Sequence, residues 1–297
     1  MDDVTGMQAD YRALRAEAGA VWLPRDFVQV AGPEAEAYLQ GQLSQDVAAI
    51  ASGASAWSFL LQPQGKVDAL VRVVRHAPDR FTLDVDGGFG DVVLARLRRF
   101  KLRTKADIEP LDWRCLAVRG PGAHEVAPDG LPTDWPGLPG VDRLGPDPAL
   151  PAGVRLCALD AYEVVRIEAG VPVMGHELTE RTIPAEAGQD VIDRAVSFTK
   201  GCFTGQELVA RIDSRGGKVP RQLRGLVLPA GASAPAGATV EVDGATVGAL
   251  TSVAPSPDGG AVALAYVKRD TTPPATATVR WDGGDCRARL EGLPLVS

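Results

Sequence analysis

Apolar and polar positions alternate along this chain in two rhythms, and the rhythm changes several times. GFGDVVLARLRRFKL places Val92, Leu94, Leu97 and then Phe100 or Leu102 near helical spacing, which predicts an amphipathic helix. FVQVAG alternates with a period of two and predicts a strand; residues 9–20 before it predict a short helix, with a turn at VWLP. PEAEAYLQGQLSQDV predicts a helix that starts at Pro33, carries acids in its first turn and has Gly41 near its end. AWSFLLQPQGKVDALVRVVRH reads as two strands around the turn PQG, with RFTLDV as a third. KADIEPL and WRCLAVRG are strand-like, AYEVVRIEAG is a helix ending at Gly170, and PAEAGQDVIDRAV is a short helical stretch. Residues 121–153 are rich in Pro and Gly and predict a long irregular connection or a reduced subdomain, partly packed on the surface.

From residue 221 the pattern becomes a series of short strands spaced by turns, with an Asp-Gly hairpin signal in EVDGAT. This predicts a small antiparallel barrel. No fixed-period repeat and no low-complexity tail interrupts the chain. The fold class expected is therefore α+β: a body over residues 1–212 in two subdomains, followed by an all-β module over 213–297.

Composition narrows the functional classes. Aromatic residues are only 5% of the 297, so the core must be built from Val, Leu, Ile and Ala. A formal net charge of -7 excludes a global basic field for gripping nucleic acid. The local basic run RLRRFKLRTK, residues 96–105, reads as the solvated face and last turn of a helix, although anionic ligands could use it. Cys115, Cys157, Cys202 and Cys286 form no CxxC pair, and His76, His124 and His176 are scattered, so neither a structural zinc site nor a disulfide framework is expected. No segment reaches about 18 consecutive apolar residues. The expectation is a reduced cytoplasmic protein with no membrane span.

The densest chemistry lies in KGCFTGQELVARIDSRGG, residues 200–217. Cys202 is flanked by Gly201 and by Phe203-Thr204-Gly205. Lys200 and the start of a helix at GQELVAR would both favour a thiolate. The competing reading is a free cysteine that simply packs, and local features leave the two evenly matched. Glu168, in RIEAGVPVMGHEL, falls near the C-terminal end of a predicted helix, where a carboxylate opposes the helix dipole and needs a partner. A heterocycle edge with two donors, such as an aminopyrimidinone, would serve; so would a salt bridge to Arg166 or another Arg. Asp68, in QPQGKVDALVRV, either faces inward toward a partner or ligand or faces outward as an edge-strand charge, the second reading being favoured. SRGGKVPR, residues 214–221, reads as a linker first and an anion-binding loop second. No Walker loop, dinucleotide fingerprint, HExxH or GxSxG is present.

KGCFTGQELVAR resembles the signature of the YgfZ-type folate-binding proteins, relatives of the aminomethyltransferase (T-protein) of the glycine cleavage system. VQVAGPEAEAYLQGQLSQDV, LQPQGKVDALVRVVRH, LRRFKLRTKADI and RIEAGVPVMGHELTERTIPAEAG resemble further segments of that family, so the likeness covers nearly the whole chain and is weakest over 121–153. The resemblance implies a three-part body around a central tetrahydrofolate pocket, with a small C-terminal barrel. It implies an accessory role in assembling or maintaining iron–sulfur enzymes, including tRNA-modifying ones, rather than conventional catalysis. Folate and iron–sulfur client or assembly proteins would be the partners, without direct nucleic-acid contact, and the protein would be a monomer.

On this resemblance Cys202 is the working thiol, with Lys200, Gly201, Gly205, Gln206 and Glu207 forming its loop. Glu168 holds the pterin ring, and the cations of 214–221, Arg215 among them, form a rim for the glutamate tail. T-proteins carry two adjacent aspartates where this chain reads Asp68-Ala69. That departure counts against aminomethyl transfer, which stays as the alternative function with Asp68 as its carboxylate. A ligand-free scaffold is the third reading. The leading one places Glu168 and Cys202 at the same hollow.

Overall fold

The computed structural model describes residues 2–296. In chain order the elements are α1 (Asp2–Ala16), β1 (Gly19–Leu23), β2 (Arg25–Ala31), α2 (Ala35–Gln42), β3 (Ser55–Leu61), β4 (Val67–Ala77), β5 (Arg80–Asp86), α3 (Gly90–Phe100), β6 (Asp107–Leu111), β7 (Arg114–Arg119), α4 (Ala123–Val126), β8 (Leu131–Pro132), β9 (Gly140–Gly145), β10 (Arg155–Leu156), α5 (Leu159–Ala169), α6 (Gln189–Ala195) and α7 (Gln206–Ser214). Six strands follow: β11 (Arg221–Leu228), β12 (Thr239–Val242), β13 (Ala245–Pro255), β14 (Ala261–Lys268), β15 (Ala275–Trp281) and β16 (Gly284–Glu291). The chain forms two compact units, Pro24–Arg114 with Val173–Val219, and Met1–Leu23 with Cys115–Pro172 and Pro220–Ser297.

The unit containing Pro24–Arg114 is built on an antiparallel sheet of order β3-β4-β5-β2-β6. Alternation along β4 sends Val67, Ala69, Val71 and Val73 into one core with Leu39 of α2, Val93 and Leu97 of α3, and Val191 and Ile192 of α6. Strand β4 lies between β3 and β5, so Asp68 is not an edge-strand charge as the local sequence suggests.

The second unit holds a sheet of order β10-β1-β7-β9-β8 and a closed barrel, β11-β14-β13-β12-β15-β16. Strand β14 explains how the barrel is used. Its residues Ala261, Ala263, Ala265 and Val267 fill the barrel with Leu226, Val240, Val279 and Leu290. The alternate residues Val262, Leu264 and Tyr266 pack outward on Val164 and Ile167 of α5. A strand covered on both faces reads as a continuous apolar run, and AVALAYV is one. The predicted Asp-Gly hairpin joins β12 to β13, with Asp243 at φ 51° and Gly244 at φ 77°.

Two local expectations are corrected. The first helix runs over Asp2–Ala16, and GAVWL after it is a strand rather than a turn. That strand pairs antiparallel with β7 and parallel with β10, contacts that its five residues do not announce. Of the two readings of residues 121–153, the irregular connection is the one overturned: α4, β8 and β9 lie within them. Ala123, Ala127 and Val141 are packed with Leu116 and Val118 of β7, so a few apolar residues among many Pro and Gly suffice to order the segment.

Candidate functional site

Glu168 sits one residue before the end of α5, which Gly170 terminates in a left-handed conformation. The residue is 5% exposed. The Tyr11 hydroxyl of α1 stands 3.0 Å from each carboxylate oxygen, so a single proton is shared between the two. That is the one side-chain hydrogen bond Glu168 receives among the described residues. A carboxylate can accept about four donors, of which the protein side chains supply this one. Burial raises the Glu168 pKa, while the Tyr11 hydrogen bond and the Arg15 charge pull it down. Tyr11 is itself raised, by burial and by the carboxylate beside it. Arg166 does not supply the expected salt bridge, because residues two apart on a helix point in different directions. On this helix it holds Glu163 at 2.8 Å, and it also donates to the Val171 carbonyl at 2.7 Å.

The cysteine loop lies in the other unit. Cys202 is exposed; it is not a packed small hydrophobe. Lys200, two residues earlier, is buried, and its ammonium donates to the carbonyls of Gln40 at 2.6 Å, Leu43 at 2.7 Å and Gln45 at 3.0 Å. These groups lie at and just beyond the end of α2, where a cation opposes the negative end of the helix dipole. All three ammonium protons are therefore taken by carbonyls, and Lys200 anchors the loop rather than reaching the thiol. Burial pushes its pKa down to about 8, with Asp46 acting in the opposite sense.

The loop is held from a second side. Gly205, at φ 82°, precedes α7, and a Cβ there would stand 2.6 Å from the Gln62 carbonyl and 2.8 Å from Leu61 Cβ. Gly65, at φ 78°, faces back, and its Cβ would meet Leu208 Cβ at 2.6 Å. The PQG turn and the cysteine loop thus interlock through two glycines that no side chain could replace. Gly201 meets nothing within 4 Å. Phe203 is buried, and the Lys200 ammonium lies 5.2 Å from its ring centroid. Gln206 opens α7. Glu207 is exposed and pairs with Arg211 at 3.1 Å, and Arg215 is exposed just past the helix end.

Asp68 is tied to the same region. Its Oδ2 accepts from Arg96 Nε at 3.1 Å. Arg96 is buried, donates also to the Leu61 carbonyl at 3.0 Å and lies 3.9 Å from the Phe100 ring centroid. It is therefore not part of a solvated helix face. Its position follows from α3 itself: Val93 and Leu97 point into the core and Arg96 lies on the same side of the helix. Asp68 and Arg96 line a cavity of 540 Å³ with Gln62, Pro63 and Gln64 of the turn and Val92, Arg99 and Phe100 of α3. Gln62 links the two features, since it borders the cavity and also meets Gly205.

The structure thus places Asp68, Lys200, Gly201, Cys202, Gln206, Glu207 and Arg215 in one unit and Glu168 in the other. Sequence reasoning missed Tyr11 and Arg96, the partners of the two carboxylates. Arg96 carried a faint signal, a cation on the buried stripe of an amphipathic helix; Tyr11 carried none. Among the described residues no cluster of three or more His, Cys, Asp or Glu side chains is arranged to hold a metal ion. Among the described residues no helix is long and apolar enough to cross a membrane.

The model of the GCVT N-terminal domain matches residues 4–135, and that of the glycine cleavage T-protein C-terminal barrel domain matches residues 221–296. The chain belongs to the glycine cleavage T-protein family. An aminomethyltransferase of Rubrobacter xylanophilus is 30% identical over 90% of this chain and 80% of its own length. A protein of Edwardsiella ictaluri named tRNA-modifying protein YgfZ is 27% identical over 66% of each chain. A mitochondrial iron–sulfur cluster assembly factor IBA57 homolog of Neurospora crassa is 28% identical over 65% of this chain and 49% of that protein. The crystal structure of the glycine cleavage system aminomethyltransferase T from Bartonella henselae shares the fold, with a TM-score of 0.78 and 23% identity over 98% of this chain and 89% of that one.

Proposed function

We propose that this T-protein family member binds tetrahydrofolate, or a folate derivative, and uses Cys202 to support assembly or maintenance of iron–sulfur enzymes, including tRNA-modifying ones. It acts as a cytoplasmic monomer and an accessory factor rather than a conventional enzyme, with a folate-binding body over 1–212 and a barrel module over 213–297. One observation carries the reading. Cys202 is exposed to solvent while the loop around it is braced by Lys200 on one side and by Gly205 against Gly65 on the other. A cysteine kept only for packing would be buried; a thiol presented on a rigid loop suits contact with a partner or a transferred group. The relatives named for tRNA modification and for iron–sulfur assembly support the same reading.

Glu168 supports the folate half. A buried carboxylate with one shared donor is suited to a ligand edge carrying two N–H groups, as a pterin does. Gln206, Glu207 and Arg215 border the cysteine loop that would meet a partner. The test is cellular. Cells lacking the protein are complemented with wild type or Cys202→Ala, and the activity of a cluster-dependent tRNA-modifying enzyme is measured. The variant stays folded and fails to restore activity; full restoration would contradict the proposal.

A second reading, folate-dependent one-carbon transfer, is favoured by one specific observation: Asp68 borders a cavity of 540 Å³. It requires that carboxylate to act on a ligand, whereas Oδ2 is engaged by Arg96. Turnover of a methylated amine with tetrahydrofolate, abolished by Asp68→Asn, would select this reading over the first.

A further inference from the structure

The stretch Arg96–Lys105 carries six cations, Arg96, Arg98, Arg99, Lys101, Arg103 and Lys105, and no acid, in a chain of net charge -7. Some of this charge is used internally. Arg96 pairs with Asp68, Arg98 donates to the Ile108 carbonyl at 2.8 Å, and Lys101 lies 3.7 Å from Asp107. Arg99, Arg103 and Lys105 have no ion-pair partner among the described residues and are exposed. Interleaved with them are Val92, Phe100 and Leu102, three of the seven large hydrophobic residues exposed among the described residues; Leu102 is 82% exposed. An amphipathic helix turning a solvated face outward has no need of Val92 and Phe100, nor the turn after it of Leu102.

Val92, Arg99 and Phe100 border a concavity, and Leu102, Arg103 and Lys105 follow in the turn after α3. The 540 Å³ cavity has Val92, Ala95, Phe100 and Pro63 as its apolar lining. Asp68 and Arg96 offset each other within it, which leaves Arg99 as its uncompensated charge. We propose that this groove and the turn after α3 dock an acidic protein segment in which carboxylates flank apolar side chains. The apolar side chains enter between α3 and the PQG turn, and the carboxylates meet Arg99, Arg103 and Lys105. Charge complementarity selects this occupant. Single-stranded nucleic acid fits less well: Arg96 covers one face of the Phe100 ring at 3.9 Å, and a carboxylate lines the groove. A flat lipid surface does not match a concave site. The inference is independent of folate binding and of Cys202.

The test uses the full chain and fluorescence anisotropy. The probe is a short fluorescein-labelled peptide alternating Glu and Leu; its controls replace Leu by Ser or Glu by Lys. A uridine oligonucleotide and phosphatidylserine vesicles are titrated in parallel. The Glu-Leu peptide binds best, and rising salt weakens it. Arg99→Glu with Arg103→Glu weakens binding by about tenfold or more, since two attractive exposed pairs become repulsive. Leu102→Ser also weakens it, and both variants keep the wild-type circular dichroism. Absence of peptide binding, equal binding by the charge-reversed variant, or a preference for the oligonucleotide or the vesicles would overturn the proposal.

Discussion

Replacing Lys200 by Met tests whether the cysteine loop is anchored as the geometry indicates. Met keeps most of the side-chain volume and removes the ammonium. The carbonyls of Gln40, Leu43 and Gln45 then lose their shared donor. A buried acceptor left unsatisfied costs about 1–3 kcal/mol, and relief of the buried charge offsets part of the sum, so a net loss of about 2–4 kcal/mol is expected. The pH dependence supplies a second readout. The folded-state pKa of Lys200 is lowered from 10.5 to about 8. Between these values the unfolded chain holds a proton that the folded one has released, so wild-type stability gains from this group as pH rises from about 8 toward 10.5. Urea unfolding measured across that window reads both effects, the lower midpoint of Lys200→Met and its missing gain with pH. A variant within about 0.5 kcal/mol of wild type, with an unchanged slope, would refute the anchor.

Gly205→Ala puts a Cβ at φ 82° against the Gln62 carbonyl and loses about 2–4 kcal/mol, whereas Gly201→Ala, with open space around it, stays within about 0.5 kcal/mol; thermal melts distinguish them. Arg96→Met leaves the Asp68 carboxylate without its ion-pair partner and removes a donor to Leu61, at a cost of about 2–3 kcal/mol in urea unfolding. Glu168→Gln is expected to raise stability at pH 7 by about 0.5–1.5 kcal/mol, because it removes a buried charge while Tyr11 keeps an acceptor. The sign follows from the raised folded-state pKa: wild-type stability from Glu168 is present at low pH and lost as pH rises through that value, and the Gln variant lacks this loss.

Much of the fold was legible because its signals are local. Gly170 stops α5 and Asp243-Gly244 turns the β12–β13 hairpin; α3 is a helix as its spacing predicts, but its buried face is Val93, Arg96 and Leu97, while Val92, Phe100 and Leu102 of the expected stripe are exposed. GAVWL was misread because its pairing partners, β7 and β10, are remote in sequence, so a strand of five residues had no alternation long enough to count. The site was legible in part for the same reason. The glycines and lysine around Cys202 stand together in the chain. Tyr11 and Glu168, by contrast, are 157 residues apart, and Arg96 and Asp68 are 28 apart. Glu168 was visible as a residue that needed a partner, whereas Asp68 was read chiefly as an outward edge-strand charge; both partners became visible only with the fold.

Titration calorimetry with tetrahydrofolate, on thiol-reduced wild type and Glu168→Gln, addresses the central claim most directly. Hydrogen bonds to a charged group contribute about 1.5–3 kcal/mol, so the wild type binds with one-to-one stoichiometry and the variant at least about tenfold more weakly while remaining folded. Equal affinity in the two proteins, or no heat of binding in the wild type, would contradict it.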